Sequence, residues 1–124
     1  MQEAYGIELV LDLHDCDLSM FTREKIEGFF EELCDLIDME PCDLHFWDDV
    51  GVAEEEQQTS PKTKGTSAVQ FILTSTMVIH TLDLLRTAYV NIFSCKQFDV
   101  DQAARFTAEW FGAGDWNATT VTRR

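Results

Sequence analysis

The chain opens with an alternation of apolar and polar positions. Ile7, Leu9, Leu11 and Leu13 fall on one side of an extended backbone, with Glu8, Val10 and Asp12 on the other. That period predicts a half-buried strand, followed by a polar turn over 14–19. The period then changes. Ile26, Phe29, Phe30, Leu33, Leu36 and Ile37 recur at helical spacing behind a capping Thr22, which predicts a helix to about Asp38 with one stripe facing the core. Pro41 closes the next turn, and Leu44–Trp47 reads as a short second strand. Residues 48–64 show no apolar period and carry Glu54-Glu55-Glu56, Ser60-Pro61 and two lysines. This reads as a mobile surface loop.

The segment Gly65 to Lys96 organises the rest. Its β-branched and aromatic runs, Val69–Leu73, Met77–Ile79 and Tyr89–Phe93, predict strands over 66–74, 76–82 and 87–95. Asp99 opens a second helix with Gln102 as capping-box partner. Val100, Ala103, Ala104, Phe106, Trp110 and Phe111 supply its buried surface. Gly112 and Gly114 stop that helix, and Trp116–Thr122 reads as an edge strand. Helices grouped beside a run of strands give an α+β fold. We expect a two-layer α/β sandwich, with a mainly antiparallel sheet and two helices on one face, in a single domain spanning 1–124.

Composition narrows the function. The chain has 124 residues, 45% hydrophobic and 11% aromatic, enough for one real core. Nine basic against 23 acidic residues give a net charge of -14, which argues against nucleic acid and anionic membrane as partners. A cationic ligand suits that balance, although an acidic surface is also simply solubilising. The sequence shows no signal peptide or membrane-spanning run, so a cytoplasmic protein is expected. Cys16, Cys34, Cys42 and Cys95 form no CxxC pair and are expected as free thiols. The spacing of Cys42 with His14 or His45 fits no standard metal site, and no metal is expected.

Four reactive side chains, Ser67, Ser75, His80 and Cys95, are threaded through the central strands. Taken singly, a thiol or imidazole in a strand is most often a packed or hydrogen-bonded structural group. Their joint spacing carries more. Gly65-Thr66-Ser67-Ala68, Thr74-Ser75-Thr76, Ile79-His80-Thr81 and Phe93-Ser94-Cys95 follow one another without a gap in the order found in the small prokaryotic S-adenosylmethionine decarboxylases. The opening Leu9–Asp17 is similar to that family's first strand and turn, with Asp15 in place of a glycine. The chain thus resembles this family over nearly its whole length, apart from the loop at 48–64.

The resemblance implies a self-made pyruvoyl cofactor derived from Ser75. Ser75 would attack the carbonyl of Thr74, and β-elimination would split the chain into 1–74 and 75–124. Ser67 and His80 would assist, which needs a polar group for the oxyanion and a base. The pyruvoyl ketone would then bind the substrate amine and take up electrons as CO₂ leaves. Cys95 would return the proton, as a thiol with a pKa near 8.5 can. The resemblance also implies S-adenosylmethionine as substrate, a role in supplying aminopropyl groups for spermidine, and a homodimer with sites at or near its interface.

Several positions depart from the family pattern. Thr74 stands where the family has glutamate, and Thr76 where it has histidine. Leu82 and Leu84 replace a tryptophan that stacks on adenine and a glutamate that binds ribose. No clear second stacking aromatic precedes Gly65, with Phe46 or Trp47 as substitutes. Two further readings therefore stand beside the first: a pyruvoyl decarboxylase of another cationic amino acid, such as arginine or ornithine, and an unprocessed binding or regulatory homologue.

Overall fold

The structure, a computed structural model, describes residues 4–124. Its elements are β1 (Gly6–His14), α1 (Arg23–Leu36), β2 (Pro41–Trp47), β3 (Gly65–Ile72), β4 (Ser75–Leu82), β5 (Thr87–Ser94), α2 (Val100–Trp110) and β6 (Asp115–Arg123). The six strands form one sheet in the order β2-β3-β4-β5-β1-β6, and every neighbouring pair is antiparallel. The expected two-layer α+β sandwich is the observed fold.

The inner face of the sheet is set by the period of two. Leu9, Leu11, Leu13, Met77, Ile79, Val90 and Ile92 point inward and are buried. They meet Ile26, Phe29, Phe30 and Leu33 of α1, and Ala103, Ala104 and Ala108 of α2. Phe29 is the hinge of this layer, with its ring centroid 5.0 Å from Phe111 and 5.3 Å from Phe30. The helices start where their caps place them: Thr22 accepts from Lys25 N–H and Asp99 from Gln102 N–H. Gly112, at φ +62°, ends the turn after α2, a left-handed conformation that suits glycine.

The structure differs from the sequence reading in four places. Leu36 was expected in the buried stripe but lies partly in solvent, because α1 ends there and Ile37 takes the inward position. β2 starts at Pro41 rather than Leu44, with a register shift between them. β3 stops at Ile72, so Leu73 and Thr74 form a two-residue turn instead of continuing the strand. The segment 48–64 carries its own order: a 3₁₀ turn at Glu54–Glu56, Gln58 N–H donating to Asp49, and Arg23 of α1 gripping Asp48 through two 2.7 Å hydrogen bonds. Among the described residues no helix is long and apolar enough to cross a membrane.

The outer face of the sheet carries no helix. Phe71 and Tyr89 are exposed there, and Val10, Val69, Val78 and Phe93 are half-buried. This mixed face, which also carries Glu8, Ser67, Thr76, His80 and Asn91, is left without a layer of its own chain.

Candidate active site

The turn between β3 and β4 builds the first part of the site. Ile72 and Ser75 pair directly, so only Leu73 and Thr74 are available to reverse the chain. Thr74 takes the left-handed conformation, at φ +60°. A β-branched residue there is a genuine outlier and carries strain. The carbonyl of Thr74 and the hydroxyl of Ser75 therefore flank a peptide bond held in a tight, strained loop.

Cys95 comes to the same place from the end of β5. Its backbone N–H donates to Ser75 Oγ at 3.0 Å, and its Sγ lies 3.1 Å from Thr74 Oγ1. The Thr74 hydroxyl beside it, followed by that of Ser75, holds the Cys95 thiol below its ordinary pKa. Burial does the opposite to the thiols of Cys16 and Cys34, each pushed up to about 11. All four cysteines are unpaired, and Cys95 is the one that combines access to solvent with stabilising donors. Asp38, Met39, Glu40 and Lys96 complete a cleft of about 460 Å³ around it.

Ser67 and His80 form a second group. They pair directly across β3 and β4, with Ser67 Oγ 2.7 Å from His80 Nδ1. Hydroxyl and imidazole can exchange a proton across that contact. The strand register extends this row: Trp47 faces Ser67, and Tyr89 faces His80. Trp47 and Tyr89 thus stand on either side of the pair, in a cavity of about 680 Å³ that Lys62 and Leu82 also line.

The two groups are not together within one chain. Ser75 and His80 lie five residues apart on β4, about 16 Å along a strand at 3.3 Å per residue. Ser75 belongs to the buried, inward row and His80 to the exposed, outward one. Sequence spacing alone did not separate them, although an odd interval on a strand implies opposite faces. Sequence reasoning also missed Tyr89, whose signal would have been its register opposite His80.

The sequence over residues 7–124 matches the S-adenosylmethionine decarboxylase family. The chain belongs to that family. No curated protein sequence matches it. Among solved structures it is similar to the crystal structure of the adenosylmethionine decarboxylase from Aquifex aeolicus, at 16% identity and a TM-score of 0.76, over 98% of this chain and 92% of that one. At that identity the likeness shows a shared fold.

For an S-adenosylmethionine decarboxylase family member, the departures noted in the sequence fall at defined places. Thr74 supplies a hydroxyl, not a carboxylate, to Cys95. Leu82 lines the outer cavity, while Leu84 is exposed and lies outside its lining. The residues around Ser75 fit a pyruvoyl precursor: an attackable strained peptide bond, a hydroxyl at the following residue, and a thiol in contact with the residue on the other side of that bond.

Proposed function

We propose that the protein is a pyruvoyl-dependent S-adenosylmethionine decarboxylase that cleaves itself between Thr74 and Ser75. The observation that carries this reading is the meeting of a left-handed Thr74, the Ser75 hydroxyl and the Cys95 thiol at one strand end. Ser75 Oγ attacks the Thr74 carbonyl carbon, the C–N bond breaks, and an ester replaces the amide. Loss of the Ser75 Cα proton then breaks the Cβ–Oγ bond. Oγ leaves with Thr74 as a carboxylate, and water displaces the nitrogen as ammonia. The products are chains 1–74 and 75–124. The pyruvoyl group so formed at residue 75 would supply an electrophilic ketone for a substrate amine and an electron sink for the loss of CO₂.

In the mature protein Cys95 holds the proton to be returned. Ser67 and His80 supply the polar group and the base for cleavage. Their distance from Ser75 in one chain points to a second copy as their source. A two-fold dimer packed through the open sheet faces would offer the Ser67–His80 pair of each copy to the Ser75 end of the other, since an isologous interface exchanges the same surfaces. Trp47 and Tyr89, flanking that pair, supply the flat faces that Leu82 lacks for a purine base. The product would serve as aminopropyl donor for spermidine in the cytoplasm.

Leu82 and Leu84 favour a second reading, a pyruvoyl decarboxylase acting on arginine or ornithine, because Leu82 cannot stack on adenine as a tryptophan does and Leu84 cannot bind a ribose hydroxyl. Intact mass under denaturing conditions tests the common step. Two fragments meeting between Thr74 and Ser75, the second with a pyruvoyl end, support it, and decarboxylation of S-adenosylmethionine against arginine and ornithine then separates the substrates. A chain of 14.2 kDa that stays whole on incubation overturns both and leaves a binding or regulatory homologue.

A further inference from the structure

The ladder between β4 and β5 ends at Thr76 and Phe93. Beyond it the main chain changes partner: the Cys95 N–H donates to a side-chain oxygen, Ser75 Oγ, at 3.0 Å. Ser75 is buried, so water is a poor substitute for that donor. Ser94, the last residue of β5, shapes the bend that turns the N–H toward it. Its backbone is held by pairing with Ile7 of β1. Its hydroxyl, also buried, accepts from the Lys96 N–H at 2.9 Å and donates to the Lys96 carbonyl at 2.8 Å. The hydroxyl therefore closes a short loop around Cys95, the kind of local bond by which a serine fixes a turn. Lys96 is tied a second time, its ammonium donating to the Asp38 carbonyl at 2.8 Å and to the Asp38 carboxylate at 2.9 Å.

We propose that Ser94 is a positioning residue for self-cleavage: its hydroxyl aims the Cys95 backbone N–H at Ser75 Oγ, and that N–H stabilises the oxygen as it departs. The inference rests on the proposed function. In the elimination step the Ser75 Cα proton goes to the base. The electron pair of that C–H bond becomes the second bond between Cα and Cβ. The Cβ–Oγ bond breaks with its pair on Oγ, which leaves as one oxygen of the Thr74 carboxylate. Negative charge thus grows on the atom that the N–H already faces. A backbone donor fixed in advance favours such a charge without reorganising. The role belongs to the main chain of residue 95 and is separate from the proton return given to its thiol.

The test follows cleavage of freshly refolded Ser94→Ala and Ser94→Thr chains by mass, with and without hydroxylamine. Hydroxylamine splits the ester intermediate into 1–74 as a hydroxamate and 75–124 with serine still at its end. Ser94→Ala should eliminate about tenfold more slowly or worse and raise the hydroxylamine-sensitive fraction, because the acyl shift precedes the impaired step. Ser94→Thr keeps the hydroxyl and should cleave like the parent. Lys96 is exposed, so water can take its freed backbone groups and the Ser94→Ala fold should persist in thermal scans. A Ser94→Ala chain that cleaves at the parent rate, or slows without gaining ester, overturns the proposal. Hydrogen exchange reads the geometry on uncleaved chain. In a His80→Ala background, which retains Ser75 Oγ, the Cys95 amide should exchange about tenfold faster with Ser94→Ala than without it. Equal rates also overturn the proposal. A parent chain that stays whole overturns the proposed function and the donor's part in elimination, and the exchange rates then decide whether Ser94 aims the amide.

Discussion

Replacing Thr74 by glycine isolates what the strained turn contributes to cleavage. Thr74 sits at φ +60°, where an L-residue pays about 1–2 kcal/mol that glycine does not. Two effects oppose the relief. Glycine gains about 0.5–1 kcal/mol of backbone entropy in the unfolded chain, and the exposed contacts of Thr74 Oγ1 with the Leu73 carbonyl and Cys95 are lost. The uncleaved protein, locked by Ser75→Ala, should therefore change stability by less than about 1 kcal/mol. Cleavage responds differently. The turn is held in place by the directly paired Ile72 and Ser75, and breaking the bond after Thr74 frees it. If 1–2 kcal/mol of strain is released on the way to the transition state, the glycine variant cleaves roughly 5- to 30-fold more slowly. Thr74→Asn, which tolerates the left-handed conformation, should fall between. The assay is a time course of intact mass on freshly refolded chain, with denaturant unfolding of the locked forms. A glycine variant that cleaves as fast as the parent, or faster through relief of crowding by the β-branch, refutes the role given to strain.

Three other outcomes follow from the geometry. Co-expressing Ser75→Ala with His80→Ala should restore cleavage of the His80→Ala chain, which neither variant shows alone; a mixed sample that stays whole in mass would confine Ser67 and His80 to their own chain. Trp47→Ala should leave cleavage intact and raise KM for S-adenosylmethionine by about tenfold, the cost of one lost stacking face, read in a CO₂-release assay. Asp48, held below its usual carboxylate range by Arg23, stabilises the fold fully above its unfolded pKa and loses that contribution as pH falls through the folded one. Asp48→Asn should thus lower the melting temperature at pH 7, and the gap to the parent should close below about pH 4 in thermal scans across pH.

Much of the fold is legible in the sequence because two different periods mark it. The alternation from Ile7 to Leu13 and the stripe from Ile26 to Leu33 each reach the structure as the face that packs. What the periods do not carry is where an element gives way to its neighbour. Leu73 and Thr74 continue an apolar, β-branched run, so they read as strand. They turn instead because Ile72 and Ser75 are paired across the sheet, a constraint that involves both sides of the hairpin at once. The same holds for 48–64, whose order comes from bonds within the segment that no apolar period announces and from Arg23 on a distant helix reaching Asp48.

The site is legible as a set of residues and not as an arrangement. Ser67, Ser75, His80 and Cys95 were chosen for their joint spacing, and spacing treats them as one constellation. The sheet divides them by parity. Ser75 and His80 differ by an odd number on one strand and so face opposite sides, while Ser67 joins His80 through register and Cys95 joins Thr74 and Ser75 through the neighbouring strand end. On the proposed roles the two half-sites, about 16 Å apart on one chain, are incomplete: the imidazole that would serve as base lies away from the strained bond. The outer sheet face on which the base lies carries half-buried apolar side chains and no helix of this chain. Incomplete chemistry and an uncovered face at the same place are most simply met together, by a second copy that supplies the missing half while covering the face. That is why the mixed-variant experiment bears on oligomer and mechanism at once.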